Sequence, residues 1–210
     1  MTEFESKIKS AIEELKSSKK RKFDQTVDLV VNLQKFDVRK NPLNLFLKIP
    51  YKIKDKKVAA FLESKSTHVD TITFDEFKKY NNKKKLKDLV KKYDFFIAQA
   101  SLMPKVATTF GRVLGPAGKM PSPQLGIILN ADEKSINEIK EKVNNSVKIK
   151  IKEASIKLAV GKESMPNEEI FENINTIYKE IIKALPRNKE NVKNIELKLT
   201  MSKPVKINVR

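Results

Sequence analysis

The stretch from residue 111 to residue 121, GRVLGPAGKMP, is the part of the sequence most suggestive of ligand chemistry. Glycine-rich turns point backbone N–H groups at anions, so a phosphate-binding loop is one interpretation. A Walker loop, however, needs Ser or Thr after its lysine, and Met120 follows Lys119. The dinucleotide pattern G-x-G-x-x-G is absent as well. The spacing therefore favours a structural loop at a helix end, with Gly115 as the C-cap and Pro116 as the stop.

Residues for other kinds of catalysis are few. The single histidine, His68, would have to carry any catalytic triad or multi-histidine metal site, and its neighbours indicate an ordinary strand approach instead. Paired carboxylates such as Glu13-Glu14 fall on helix starts or solvated helix faces. The absence of cysteine excludes disulfides, cysteine zinc sites and thiol nucleophiles. We therefore expect no enzyme, no cofactor and no metal centre.

The charge of the chain predicts a polyanionic partner. Lys and Arg number 44 against 26 Asp and Glu, which leaves a net charge of +18. Residues 56–152 hold +10 of this, so charge alone favours the middle of the chain as the contact surface. Lysine contacts with phosphate, however, add affinity without selecting a target.

Two short clusters combine basic residues with groups suited to closer contact. They are residues 22–26, KFDQT, and residues 200–204, TMSKP. Folded RNA is recognised by its shape, by contacts to 2′-hydroxyls and by base stacking, for which Phe, Thr, Ser and exposed backbone beside lysine are suitable groups. The two clusters are therefore candidate RNA-binding segments.

The ends of the chain show helices combined with alternating strands. Helical spacing predicts helices over residues 4–17 and between Pro166 and Pro186. Alternation predicts strands near residues 27–33, 43–49, 147–151, 156–160, 195–201 and 205–209. The first two of these strands could pair with each other.

The middle of the chain has a different pattern. Residues 58–61 and 94–98 are continuous apolar runs, as expected for strands of a parallel sheet covered on both faces. Helices are predicted over residues 86–92, 102–114 and 132–143. Strands alternating with helices indicate an α/β module.

These patterns predict an α/β protein with an insertion. We expect an α+β outer domain formed by residues 1–55 and 153–210, and an inserted three-layer Rossmann-like domain over residues 56–152. The apolar runs are far shorter than the ~18 residues that cross a bilayer. We expect a cytoplasmic protein without a membrane partner.

Several stretches together resemble the archaeal form of the large-subunit ribosomal protein family "L one", the protein of the mobile stalk. They are KFDQTV at 22–27, DFFIAQA at 94–100 with LMP at 102–104, LGPAGKMP at 114–121, VG at 160–161 and LTM at 199–201. These stretches occur in order over nearly the entire chain, which makes the resemblance specific.

The resemblance implies that the outer domain binds large-subunit ribosomal RNA. Matched to the family, the RNA-binding residues are Lys22, Phe23, Gln25, Thr26, Lys152, Thr200, Met201, Ser202 and Lys203. A two-stranded hinge would lie at Asp55, Lys56, Lys150 and Lys152. The resemblance also implies that the protein holds the RNA stalk that moves as deacylated tRNA leaves the exit site. Further implied are binding to its own mRNA as a translational repressor, and a monomeric state away from the ribosome.

Two residues depart from the family pattern, and two other functions stay open. Ser202 replaces a usual glycine, so its side chain could reshape the RNA contact. Gln25 stands where an acidic residue is common, which removes a repulsive charge near RNA. The alternatives are a nucleotide-dependent enzyme using the middle domain and an RNA-binding regulator that never joins a ribosome.

Overall fold

A computed structural model describes residues 3–17, 21–38, 43–80, 82–129, 132–151 and 153–207 of the protein. The chain divides into two compact units: residues 1–53 with 145–210, termed here the outer unit, and residues 54–144, the inner unit. In chain order the elements are α1 (Glu3–Ser17), β1 (Thr26–Leu33), β2 (Asn44–Lys48), β3 (Val58–Leu62), β4 (Asp70–Thr73), α2 (Lys83–Lys92), β5 (Phe95–Gln99), α3 (Met103–Ala117), β6 (Ile127–Ile128), α4 (Glu133–Asn144), β7 (Ser146–Lys150), β8 (Ser155–Lys162), α5 (Asn167–Ala184), β9 (Val192–Leu199) and β10 (Val205–Ile207). Short 3-10 helices cover Phe74–Tyr80, Ala100–Leu102 and Asn188–Asn191.

The outer unit is a sheet packed against two helices. Its four antiparallel strands lie in the order β10-β9-β1-β8. In β1, Val27, Leu29, Val31 and Leu33 alternate with less buried residues and turn inward. They share one core with Ile8 and Ile12 of α1 and with Ile170, Ile174, Ile177 and Ile181 of α5. The strand alternation and the helix stripes thus meet in a single apolar layer.

The expected pairing of the first two strands is wrong. Strand β1 is paired on both edges, with β8 and β9, so no edge is left for β2. Instead β2 pairs with β7 as a two-stranded ribbon, in which Leu47 lies opposite Val147. This pairing places β7 in the outer unit, whereas the predicted boundary assigned residues up to 152 to the insertion.

The inner unit is a parallel sheet between two apolar layers, which confirms the α/β fold class. Its strand order is β4-β3-β5-β6. All five residues of β3 are buried, with Phe61 facing a core formed with α2 and α3. Val58, Ala60 and Leu62 face the opposite layer, which includes Ile136 of α4. Burial on both faces explains the continuous apolar run.

The predicted end of the third helix is wrong. Helix α3 continues through Gly115 and Pro116 and ends at Gly118, whose φ of 69° lies in the left-handed region. The Gly118 N–H donates to Gly115 O at 2.9 Å and the Lys119 N–H to Leu114 O at 3.0 Å, the two bonds of a Schellman motif. Proline is tolerated here because only one residue of helix follows it.

Among the residues with described positions, no helix is long and apolar enough to span a membrane.

Candidate nucleic-acid interface

The two predicted RNA-binding clusters meet at one end of the outer sheet. Strands β1 and β9 are antiparallel neighbours with Val27 opposite Leu199, so the segment before β1 lies beside the turn that follows β9. We call the surface formed by residues 22–26 and 200–203 the terminal patch. Sheet pairing therefore joins two segments that are more than 170 positions apart in sequence.

Hydrogen bonds fix the two segments of the terminal patch to each other. The Thr26 N–H donates to Thr200 Oγ1 at 3.1 Å. The Met201 N–H donates to Gln25 Oε1 at 3.1 Å, and Gln25 Nε2 donates to Glu163 Oε2 at the same distance. These bonds hold the backbone of the turn in a defined position, which favours recognition of a fixed shape.

Gln25 is buried rather than presented to a ligand. Its residue is only 2 % exposed, and both ends of its amide are bonded within the protein. The expected direct RNA contact of Gln25 does not agree with this burial, because an amide enclosed on both sides has no surface to offer. The structure indicates a positioning role for Gln25 instead.

The terminal patch displays large apolar side chains to solvent. Phe23 is 52 % exposed and Met201 is 61 % exposed. Lys22 and Lys203 are exposed beside them. An exposed aromatic ring can stack on a base, and neighbouring ammonium groups can contact phosphates, so the arrangement suits folded nucleic acid.

Ser202 adapts the turn without backbone strain. Its φ is not positive, so this position does not require glycine. Its N–H donates to Leu199 O at 3.1 Å, and its Oγ accepts from the Leu199 N–H at 2.8 Å. The side chain therefore folds back onto the turn and ties its two ends.

A third segment, residues 162–164, borders the terminal patch and was not predicted as part of the site. Ser164 donates to Asp24 twice, from N–H at 3.1 Å and from Oγ at 2.9 Å, and the Lys162 ammonium lies 3.4 Å from the same carboxylate. Slight desolvation raises the pKa of Asp24, but the bonds from Ser164 and Lys162 outweigh it and hold the pKa below its ordinary value. The VG stretch of the resemblance, which ends one residue before Lys162, was the available signal.

The segment at residues 162–164 is carried by a close contact between strand and helix. A Cβ built on Gly161 would stand 2.9 Å from Ile170 Cγ1, so only glycine lets β8 approach α5 this closely. Glu163 extends this anchoring because its N–H donates to Gln25 O at 2.8 Å.

The predicted hinge residues lie in different settings. Lys56 packs within the inner unit, donating from Nζ to Val143 O at 2.6 Å and from N–H to Asn144 Oδ1 at 3.0 Å, and burial lowers its pKa. Asp55 is exposed. Lys150 is an exposed member of the ribbon opposite Asn44. Lys152, also predicted to contact RNA, lies outside the described residues.

The glycine-rich stretch uses its lysine for packing. Lys119 Nζ donates to Val90 O and Tyr93 O, both at 2.7 Å, and so satisfies carbonyls at the C-terminal end of α2. This contact occupies the ammonium group that a phosphate-binding loop would need.

The carboxyl edge of the parallel sheet, where α/β proteins usually bind nucleotides, is bridged by its own side chains. Ser101 Oγ donates to Glu63 Oε1 at 2.8 Å, and the Glu63 N–H donates to Gln99 Oε1 at 3.3 Å. A carboxylate at this position would repel a nucleotide phosphate. Within the described part of the chain, no cluster of three or more His, Cys, Asp or Glu could hold a metal ion.

The charge distribution changes when it is assigned to the observed units. The inner unit has 18 basic and 11 acidic residues, and the outer unit has 26 and 15. The outer unit therefore carries the larger net charge, +11 against +7. The expectation that charge favours the insertion depended on a boundary that included the lysines of β7.

Known proteins similar to this chain belong to one family. Residues 15–203 match the family model described as "Ribosomal protein L1p/L10e family". The large ribosomal subunit protein uL1 of Nanoarchaeum equitans is 35 % identical over 93 % of this chain and 97 % of its own length. That of Thermofilum pendens is 38 % identical over 97 % and 92 %, and that of Pyrococcus abyssi 34 % identical over 96 % and 95 %.

The family match covers far more than half of the chain, and these relatives are aligned over nearly their full lengths. The resemblance found in the sequence is thereby confirmed: the chain belongs to the ribosomal protein L1p/L10e family.

Proposed function

We propose that the protein is a structural constituent of the large ribosomal subunit and binds large-subunit ribosomal RNA through the terminal patch. The observation that carries the proposal is the pair of exposed side chains, Phe23 and Met201, on backbone held by Thr200 and Gln25. Relatives named as large-subunit ribosomal proteins along nearly the whole chain support it. The chemistry is recognition without covalent steps.

The roles proposed for the patch residues differ. Phe23 and Met201 contact bases or sugars, and Lys22 and Lys203 neutralise phosphates. Thr26, Thr200 and Ser202 shape the backbone, and Gln25 positions Met201 from below the surface. Lys152 is proposed as an additional phosphate contact.

The further family roles are proposed with the same binding activity. The protein would hold the RNA stalk that moves as deacylated tRNA leaves the exit site, with motion at a hinge around Asp55, Lys56, Lys150 and Lys152. It would also repress translation of its own mRNA when that RNA presents a similar fold. It would act in the cytoplasm, as a monomer when free of the ribosome.

The terminal patch is tested by replacing its exposed side chains. Phe23→Ala and Met201→Ala should each weaken binding to a stalk fragment of large-subunit RNA by ~1–3 kcal/mol, the range for lost base stacking. Binding to an arbitrary RNA duplex should hardly change. Leu129→Ala is the matched control, because Leu129 is 82 % exposed but belongs to the inner unit. Equal losses on both RNAs would refute the patch.

Thr200 offers a second test with its own control. Thr200→Val removes the acceptor of the Thr26 N–H and should cost ~1–3 kcal/mol of cognate binding. Thr200→Ser retains the hydroxyl and should bind nearly as tightly. Cosedimentation of tagged protein with large subunits at moderate salt separates a ribosomal constituent from a free regulator, which would stay in the supernatant.

A further inference from the structure

The inner unit has two adjoining cavities on its surface. One has a volume of about 650 Å³ and lies at the amino ends of β3 and β4, where Val58 and Asp70 line it. The other has a volume of about 390 Å³ and lies beside α2. Both are lined by Lys92 and Tyr93, so they are adjacent, and we call them together the basic groove. The groove lies at the opposite sheet edge from the one where α/β proteins bind nucleotides.

Lysines dominate the lining of the basic groove. The lining residues include Lys56, Lys57, Lys65, Lys79, Lys85, Lys92 and Lys140, against the carboxylates Asp70, Glu76 and Asp88. Two of these carboxylates are already engaged within the protein. Asp70 accepts from Tyr93 Oη at 2.6 Å and lies 3.9 Å from Lys92 Nζ, and Glu76 pairs with Lys79 at 3.4 Å.

Three of the lysines remain available to a ligand. In the part of the chain that the structure describes, the ammonium groups of Lys57, Lys65 and Lys85 form no ion pair or hydrogen bond, and all three residues are exposed. They are spread over both cavities, since Lys57 and Lys65 line the first and Lys85 the second. A concave surface with unpaired cations concentrates positive potential.

Regular structure fixes where these lysines stand. Leu86 and Leu89 bury one side of α2, which leaves neighbouring Lys85 on the solvent side. Lys57 directly precedes β3, and its N–H donates to Asp94 Oδ2 at 3.2 Å. Burial lines the cations up along the groove without any contact among themselves.

We propose that the basic groove is a second RNA contact, which binds the phosphodiester backbone without sequence selection. The lining contains lysines and no arginine among its named residues, and lysine suits isolated phosphates, whereas planar carboxylates favour the arginine fork. A membrane surface is a poor match, because none of the exposed large apolar side chains lines the groove. This contact goes beyond the proposed function, since it belongs to the other unit and reads no sequence.

The test compares two triple variants of the full chain with the same loss of charge. Lys57→Ala, Lys65→Ala and Lys85→Ala together remove the free groove lysines. Lys87→Ala, Arg112→Ala and Lys134→Ala together remove three exposed cations of the inner unit that line neither cavity. The probe is a labelled RNA duplex of arbitrary sequence, and the measurement is its dissociation constant by fluorescence anisotropy over a salt series.

The groove variant should lower the slope of log K against log salt by about two, the value for three lost phosphate contacts, and weaken binding roughly tenfold at low salt. The control variant should change the slope by less than one contact. Equal effects of the two variants would overturn the proposal in favour of diffuse charge. Competition by polyglutamate as effective as competition by RNA of equal charge, or binding to phosphatidylserine vesicles that the groove variant abolishes, would overturn it as well.

Failure of this proposal is distinguishable from failure of the terminal patch. If the patch alone exists, Phe23→Ala weakens the stalk fragment and the two triple variants behave alike. If the groove alone exists, Phe23→Ala changes nothing while the groove variant weakens arbitrary duplex.

Discussion

Gln25 shows how a single buried amide supports the terminal patch. Its Oε1 accepts from the Met201 N–H, while its Nε2 donates to the Glu163 carboxylate. An amide can serve both partners because it carries an acceptor and a donor, which a carboxylate does not. The side chain therefore defines the turn from inside although it presents nothing to a ligand.

Gln25→Glu should break this arrangement. At neutral pH the new carboxylate would face Glu163 where an N–H now donates, so we expect the free energy of unfolding to fall by ~1–3 kcal/mol and RNA binding to weaken. Urea unfolding and anisotropy with the stalk fragment measure the two effects. Both should recover at acidic pH, where one carboxyl of the pair is protonated and can donate.

The reciprocal double variant provides the control. With Gln25→Glu and Glu163→Gln together, position 163 supplies the donor and position 25 still accepts from Met201, so stability should return close to that of the wild type. If the double variant were no more stable than the single one, the bond between these side chains would not be what orders the turn.

At the scale of elements, the glycines of β8 and α3 differ in what surrounds them. Gly161 of β8 faces Ile170 so closely that a methyl group would overlap it, whereas a Cβ at Gly111 of α3 meets nothing within 4 Å. One glycine is required for packing, and the other only lowers the helix propensity of its segment.

Gly161→Ala should therefore destabilise the protein by about 1–3 kcal/mol, the usual cost of overpacking. Gly111→Ala should stabilise it by about 0.5–1 kcal/mol, because alanine loses less backbone entropy in a helix. Chemical denaturation measures both changes on the same chain. A stable Gly161→Ala protein with unchanged RNA affinity would show that β8 can move away from α5 without disturbing residues 162–164.

The type of most elements follows from local periodicity, which is why the prediction succeeds for them. Helix α1 was expected over residues 4–17 and spans Glu3–Ser17, since its apolar stripe is contained in its own sequence. The partners of a strand are not local in this sense. The ribbon of β2 with β7 depends on which edges of β1 are already occupied, and the two-residue strand β6 is defined only by its neighbour β5.

The candidate site was predictable to a similar extent. Phe23 and Met201 were identified from the resemblance, and the structure brings their segments together through the β1–β9 pairing. The burial of Gln25 and the contribution of Ser164 were not predictable, because a polar residue in a loop looks the same in sequence whether it faces solvent or a carboxylate.

At the scale of the whole molecule, a net charge of +18 acts on stability and on binding in opposite directions. Like charges repel one another in the compact state and so lower its stability, while the same charges attract RNA phosphates. Salt screens both interactions, and the Debye length falls from about 10 Å at 0.1 M to about 3 Å at 1 M.

Raising KCl should therefore stabilise the free protein while it dissociates the RNA complex. We expect the Tm of the free protein to rise by about 2–4 °C, which corresponds to about 1 kcal/mol for a chain of this length. Calorimetry of the free protein and anisotropy of the complex over one KCl series measure the two trends. The variant with Lys87→Ala, Arg112→Ala and Lys134→Ala carries less charge and should show a smaller rise in Tm. A Tm that falls with salt would mean that attractive ion pairs, such as Lys162 with Asp24, outweigh the repulsion among the excess lysines.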